Sequence, residues 1–199
     1  MNVTTTILAI MLSSTPVHTT GAEQPIATAA ASRPLEAGQF VWQPEMAASG
    51  PVEVVVSIPL QRAYVYRGGT LIGLTTVSTG RPGHSTPTGR FEILEKRREH
   101  YSNLYNNAPM PFMQRLTWGG IALHAGHIPG TPASHGCVRL PLEFSRLLFG
   151  VTQVGATVHI VDSSPTADTA LALARGEQQP TPAAPAPAAA PVVVASAAP

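Results

Sequence analysis

The chain has 199 residues, 44% hydrophobic and 12% charged, with a formal net charge of +1. That apolar fraction supplies the core of one domain, which excludes wholesale disorder. The near-neutral balance offers no basic stripe for nucleic acid. No apolar run approaches the roughly 20 residues of a spanning helix, which excludes a multi-span membrane protein.

In chain order, residues 1–22 read as an export signal. Ile7 to Leu12 is a compact apolar run, and Thr20-Gly21-Ala22 offers a small-residue cleavage site, although no Lys or Arg precedes the run. Residues 23–50 are rich in Ala, Pro, Ser and Gly without periodicity and read as a linker. The folding signal lies in residues 51–162. Residues 52–58 are a β-branched run and predict a strand with a buried centre. Residues 63–66 and 71–77 flank Arg67-Gly68-Gly69-Thr70, a pattern that predicts a tight hairpin. Residues 91–94, 121–123 and 157–161 are further strand candidates. Lys96-Arg97-Arg98, flanked by Glu95 and Glu99, reads as a solvated charged face. Pro141 suits a first helical position. Leu142, Phe144, Leu147 and Leu148 then form an apolar stripe, and Gly150 is expected to end the helix. A second helix is expected over residues 166–175, within the connecting segment 163–175. Residues 176–199 hold six Pro and nine Ala with one charge, Glu177, and read as a disordered, extended spacer tail. Many short strands with few helices predict a mostly β domain.

The chemistry concentrates in residues 119–140. The only cysteine, Cys137, follows three histidines, His124, His127 and His135, within 14 positions. A lone cysteine excludes an intrachain disulfide, and it excludes zinc sites needing two or four cysteines. A thiol near neutrality needs a base to become the attacking thiolate, and an imidazole can take that proton and later return it to a leaving amine. His135 lies two residues from Cys137, on the same face if the segment is extended. His124 ends an apolar strand and can approach from a neighbouring one. Gly136 permits a tight turn that aims its N–H and that of Cys137 at a developing oxyanion. Arg139 can hold a carboxylate or the same oxyanion. No Asp or Glu occurs from Gly119 to Leu142, so a backbone carbonyl just after His124 is expected to orient the imidazole. Two rival readings remain open on these residues. One is a metal site of His124, His127, His135 and Cys137. The other is a buried, inert cysteine.

Ser134-His135-Gly136-Cys137-Val138-Arg139 resembles the active-site signature of the L,D-transpeptidase catalytic domain, the YkuD-type family. Two upstream elements are similar to that family as well. These are Ser78-Thr79-Gly80 and Thr86-Pro87-Thr88-Gly89-Arg90-Phe91, and the opening around residues 61–66 fits its first hairpin. The resemblance covers about residues 52–162. It implies a mostly β, sandwich-like fold with a short helix after the cysteine, flanked by disordered tails. It implies Cys137 as nucleophile, His124 as general base and acid, Gly136 and Cys137 backbone donors as the oxyanion hole, and His135 and Arg139 lining the site. Ser134 is expected to be a local hydrogen-bonding residue. The substrate implied is the stem peptide of bacterial peptidoglycan. No cofactor, nucleic acid or stable membrane insertion is implied, and the location is the periplasm or cell envelope. Water as acceptor would make a carboxypeptidase, and a silent peptidoglycan-binding module is a further alternative. Only nine residues separate His124 from Ser134, so the loop between them is expected to be short. His127 is expected at the pocket edge, and His84 is expected in solvent.

Overall fold

The computed structural model describes residues 34–103 and 106–176. The expected export signal and most of the proline-rich tail lie outside the described residues, as does the first part of the expected linker.

Two β-sheets form the body. The first has six strands: β1 (Phe40–Trp42), β2 (Val52–Ser57), β3 (Arg62–Arg67), β4 (Thr70–Thr76), β5 (Gly89–Glu92) and β10 (Thr157–Val161). Their order is β1-β4-β3-β2-β10-β5, with β2 and β10 parallel and the other neighbours antiparallel. The second sheet orders β6 (Glu95–Arg97), β7 (Met113–Arg115), β8 (Ala122–Ala125) and β9 (Val138–Leu140), with β8 and β9 parallel. The architecture is the mostly β, two-sheet arrangement expected. As the turn chemistry predicts, β3 and β4 are joined by Gly68 and Gly69 at φ +56° and +86°, values that glycine adopts without steric penalty.

The centre of β2, Val54-Val55-Val56, is an unbroken valine run because both of its faces are covered. Val54 and Val56 point into the core between the sheets, beside Ile72, Leu123, Val138 and Leu140. Val55 points the other way, with Tyr64, Tyr66 and Leu74, under Ala170 and Leu171 of the C-terminal helix α2 (Ala170–Arg175). Two tyrosine hydroxyls fasten the segment leading to α2: Tyr64 donates to the Pro165 carbonyl at 3.1 Å and Tyr66 to that of Ala167 at 2.6 Å. Arg175 forms an ion pair with Glu53 of β2, and Gly176 caps the helix in the left-handed conformation.

Helix α1 (Leu142–Val151) closes the main core with Phe144 and Leu148, both fully buried. Burying a phenylalanine of this kind is worth about 1.5–3 kcal/mol. The expectation that Gly150 ends α1 is corrected by one turn position: the helix runs to Val151. Thr152 caps it, its hydroxyl donating to the Leu148 carbonyl at 2.9 Å.

The linker expectation for residues 23–50 is also corrected over its second half. β1 pairs with β4, and the Phe40 and Trp42 rings meet Phe144 edge-on at 5.5 and 5.3 Å. A three-residue strand has no periodicity of its own, so its partner and the aromatic contact create it. The solvated reading of Lys96 is corrected too. Its ammonium donates to the Phe149 and Thr152 carbonyls at 2.7 and 2.6 Å and lies 4.3 Å from the Phe149 ring centre. The cation thus satisfies carbonyls at the C-terminus of α1, where helices leave them without intrahelical donors.

Candidate active site

The site is built on the register of β7, β8 and β9. Leu123 pairs with Val138, His124 with Arg139, and Ala125 with Leu140. Side chains alternate along a strand, so Leu123, Val138 and Leu140 enter the core while His124 and Arg139 face the opposite side. Cys137, immediately before β9, continues that second face. His124, Cys137 and Arg139 line one cleft of about 520 Å³.

The loop carrying Cys137 is held from inside and from below. The Ser134 hydroxyl donates to the Cys137 carbonyl at 2.6 Å and accepts the Gly136 N–H at 3.0 Å. Ser134 is therefore the local hydrogen-bonding residue expected. The Gly136 N–H, expected at the oxyanion hole, makes its bond within the loop in this structure. Gly136 has φ +113°, and a Cβ there would lie 2.9 Å from Ile121 Cδ1. The positive φ demands glycine, while the Ile121 methyl is the end of a flexible side chain that can shift. The upstream motifs form the platform below. Thr86 Oγ1 accepts the Gly80 N–H and donates to the Gly136 carbonyl, each at 2.8 Å. Backbone N–H groups of Ala133 and Ser134 donate to the Thr79 carbonyl, and Ser78 and Arg139 exchange backbone bonds at 3.0 Å.

His124 Nδ1 lies 2.8 Å from the carbonyl oxygen of Ala125, the residue just after it. A carbonyl only accepts, so Nδ1 carries the proton and Nε2 keeps a lone pair. No carboxylate is needed to orient the ring. Burial depresses the His124 pKa to about 4, helped by the charges of Arg139 and His100. Burial also pushes the Cys137 thiol up, against the opposing pull of the Ala122 backbone and of Arg139 and Arg115. The resting pair at neutral pH is therefore thiol and neutral imidazole, with the thiol donating to the Gly120 carbonyl at 3.3 Å.

His135 is half-buried at the cleft, and its pKa is lowered by desolvation and then by Arg81, His84 and Arg139. The expectation of a solvent-exposed His84 is corrected: it is half-buried, its ring edge-on to His135 at 4.8 Å. His127 is exposed at the cleft edge, as expected. Among the described residues no group of three His, Cys, Asp or Glu side chains converges to hold a metal ion, so the His124, His127, His135 and Cys137 cluster does not form.

Sequence reasoning missed two parts of the cleft. Described residues 98–102 and 108–112 pair with each other across one side, with the Met110 N–H donating to the His100 carbonyl and the Phe112 N–H to that of Arg98, each at 2.8 Å. Arg115, on β7, forms another wall. Among the described residues of the paired segments, His100 is of a type that could have marked them.

A two-sheet β domain that sets one cysteine and one neutral histidine in a common cleft defines the class. The family model of the L,D-transpeptidase catalytic domain, YkuD, matches residues 51–160, and the chain belongs to this family. An L,D-transpeptidase (Yku) from Stackebrandtia nassauensis is 30% identical with a TM-score of 0.53, over 60% of this chain and 59% of that one. An L,D-transpeptidase from Mycobacterium tuberculosis H37Rv is 23% identical with a TM-score of 0.53, over 56% of this chain and 57% of that one. One from Mycobacterium smegmatis is 22% identical with a TM-score of 0.51, over 56% and 58%. The last two share the fold. The match spans less than two thirds of each of these chains. No curated protein matches the chain in sequence.

Proposed function

We propose that the protein is a cysteine-dependent L,D-transpeptidase acting on peptidoglycan stem peptides. The observation that carries this reading is the His124 tautomer: Nδ1–H is fixed on the Ala125 carbonyl, which leaves Nε2 as the base of a cleft shared with Cys137. The Cys137 sulfur attacks the carbonyl carbon of the third stem residue while Nε2 of His124 takes the thiol proton. The oxyanion is assigned to the Cys137 N–H and the Arg139 guanidinium, since the Gly136 N–H serves the loop. Collapse breaks the peptide bond. His124 returns the proton to the leaving D-alanine nitrogen, and a thioester remains. An acceptor amine from a second stem then loses a proton to His124 and attacks the thioester, which forms the new amide and restores the thiol. His135 and Arg139 line the donor's path.

Such a substrate places the enzyme in the periplasm or cell envelope, which fits the export signal read at residues 1–22. No helix among the described residues is long and apolar enough to cross a membrane. The test is intact-protein mass after incubation with a carbapenem, an acylating probe chosen because a similar L,D-transpeptidase has been solved in complex with imipenem. A single adduct on the wild type and none on Cys137→Ala supports the acyl-enzyme. Adducts on both proteins, or on neither, sink it. Purified stem tetrapeptides then separate amine from water as acceptor, and a 3→3 cross-linked product is expected.

A further inference from the structure

Beside the Cys137 and His124 pair, the cleft wall presents a second cation to which the chemistry above gives no role. Arg115 pairs with Ala122 across β7 and β8. Extending the β8–β9 register by one position sets Cys137 beside Ala122. Arg115 thus lies two strands from the thiol, each step about 4.8 Å. Its guanidinium is fixed from two directions. Nε donates to Glu95 Oε2 at 2.7 Å, and the guanidinium carbon lies 5.7 Å from the Trp118 ring centre. Among the described residues its two Nη atoms have no hydrogen-bond partner. Glu95 also accepts from Arg97 Nε at 2.7 Å, so two guanidiniums share one carboxylate and the group keeps a positive charge. Among the described residues no Asp or Glu lines the cleft, and Arg139 adds a second positive group to it.

A guanidinium held at Nε and across its face, with its outer edge open, is a planar fork for a planar anion. We propose that Arg115 is a specificity-determining residue that binds a carboxylate of the donor peptide, so that the enzyme selects acidic donors over their amides. The proposal rests on the transpeptidase reading above. Donors synthesised with one carboxylate on the second residue and one on the third side chain offer Arg115 two partners besides the leaving end. The chemistry is shared, and the substrates separate the sources.

The experiment uses the full chain as wild type, Arg115→Gln and Arg115→Lys. Three synthetic tetrapeptide donors are compared: unmodified, amidated on the second residue, and amidated on the third side chain. In the wild type, one amide should lower kcat/KM by about tenfold to a hundredfold, mainly through KM. That amide names the carboxylate. In Arg115→Gln the ratio between free and amidated donor should collapse towards one. Arg115→Lys, a charge without a fork, should give an intermediate ratio, and it carries the test alone if the glutamine variant does not fold. Indifference of the wild type to both amides, or the same ratio in wild type and variants, overturns the Arg115 assignment and leaves the enzyme reading intact. A wild type that turns over no donor overturns both.

Discussion

Thr86 and Gly136 are fifty positions apart, yet the Thr86 hydroxyl donates to the Gly136 carbonyl at 2.8 Å while accepting the Gly80 N–H at the same distance. One buried hydroxyl therefore joins the upstream threonine motif to the loop that carries Cys137. The threonine acts on the loop's shape and does not itself line the cleft.

Thr86→Val keeps the volume and removes the hydroxyl, which leaves two backbone groups without their partner. Urea denaturation should show a loss of about 1–3 kcal/mol. Carbapenem acylation of Cys137 should slow more than that loss alone explains, and Thr86→Ser should restore both. A valine variant that acylates at the wild-type rate would show that the loop does not need this tie.

His124 sets a pH dependence of both activity and stability. Its pKa is about 4 in the folded protein against 6.5 in the unfolded chain. The base function proposed for it is therefore expected to stay intact well below neutrality, and kcat/KM should fall only as pH approaches 4. For stability, the unfolded chain takes up the proton first as pH drops. The His124 contribution is full above about 6.5 and is lost progressively as pH falls towards 4, by roughly 3 kcal/mol. Denaturation curves between pH 7 and 4 should show that slope, and His124→Gln should reduce it. An activity limb near 6.5 would contradict the buried, neutral imidazole.

Lys96→Met keeps the apolar stem and removes the donor to the Phe149 and Thr152 carbonyls. A loss of about 1–3 kcal/mol is expected by chemical denaturation. Hydrogen exchange should quicken in the last turn of α1 before it does elsewhere. Unchanged exchange there would mean that water replaces the ammonium at no cost.

Glu53→Gln weakens the attachment of α2, since the carboxylate meets both Arg175 and His159. Arg175 lowers the Glu53 pKa, so the contribution is present above the ordinary carboxylate range and disappears as pH falls through it. Faster exchange confined to residues 170–176 is the expected readout. Exchange that quickens equally across β2 would place the ion pair in global stability instead.

What the sequence discloses follows from how local each cause is. The β3–β4 turn was legible because two consecutive glycines act on their own backbone. That Cys137 and His124 share a cleft was legible because the thiol is unique and its loop carries a motif. β1 and β7 were not, since three-residue strands exist only through their partners. Arg115 was hidden for the same reason: the β7–β8 pairing brings it to the cleft, and nothing next to it in the chain hints at that. His84 was misplaced because its neighbour, His135, is 51 positions away and a loop gives no periodicity. The bond from the Gly136 N–H to the Ser134 hydroxyl was not legible, because backbone sequence does not reveal which side chain a loop donor meets.

On β9 the residues of the cleft and those of the core take turns one by one, Arg139 standing between Val138 and Leu140. A strand has no spare face on which to absorb a length change. Inserting one residue between Cys137 and Val138 would drive an arginine into the sandwich and deliver a valine to the substrate in its place. Under the proposed mechanism chain length here is itself a requirement: in these few positions, indels should be purged more strictly than most substitutions, and the frame of the cleft is kept by the packing behind it.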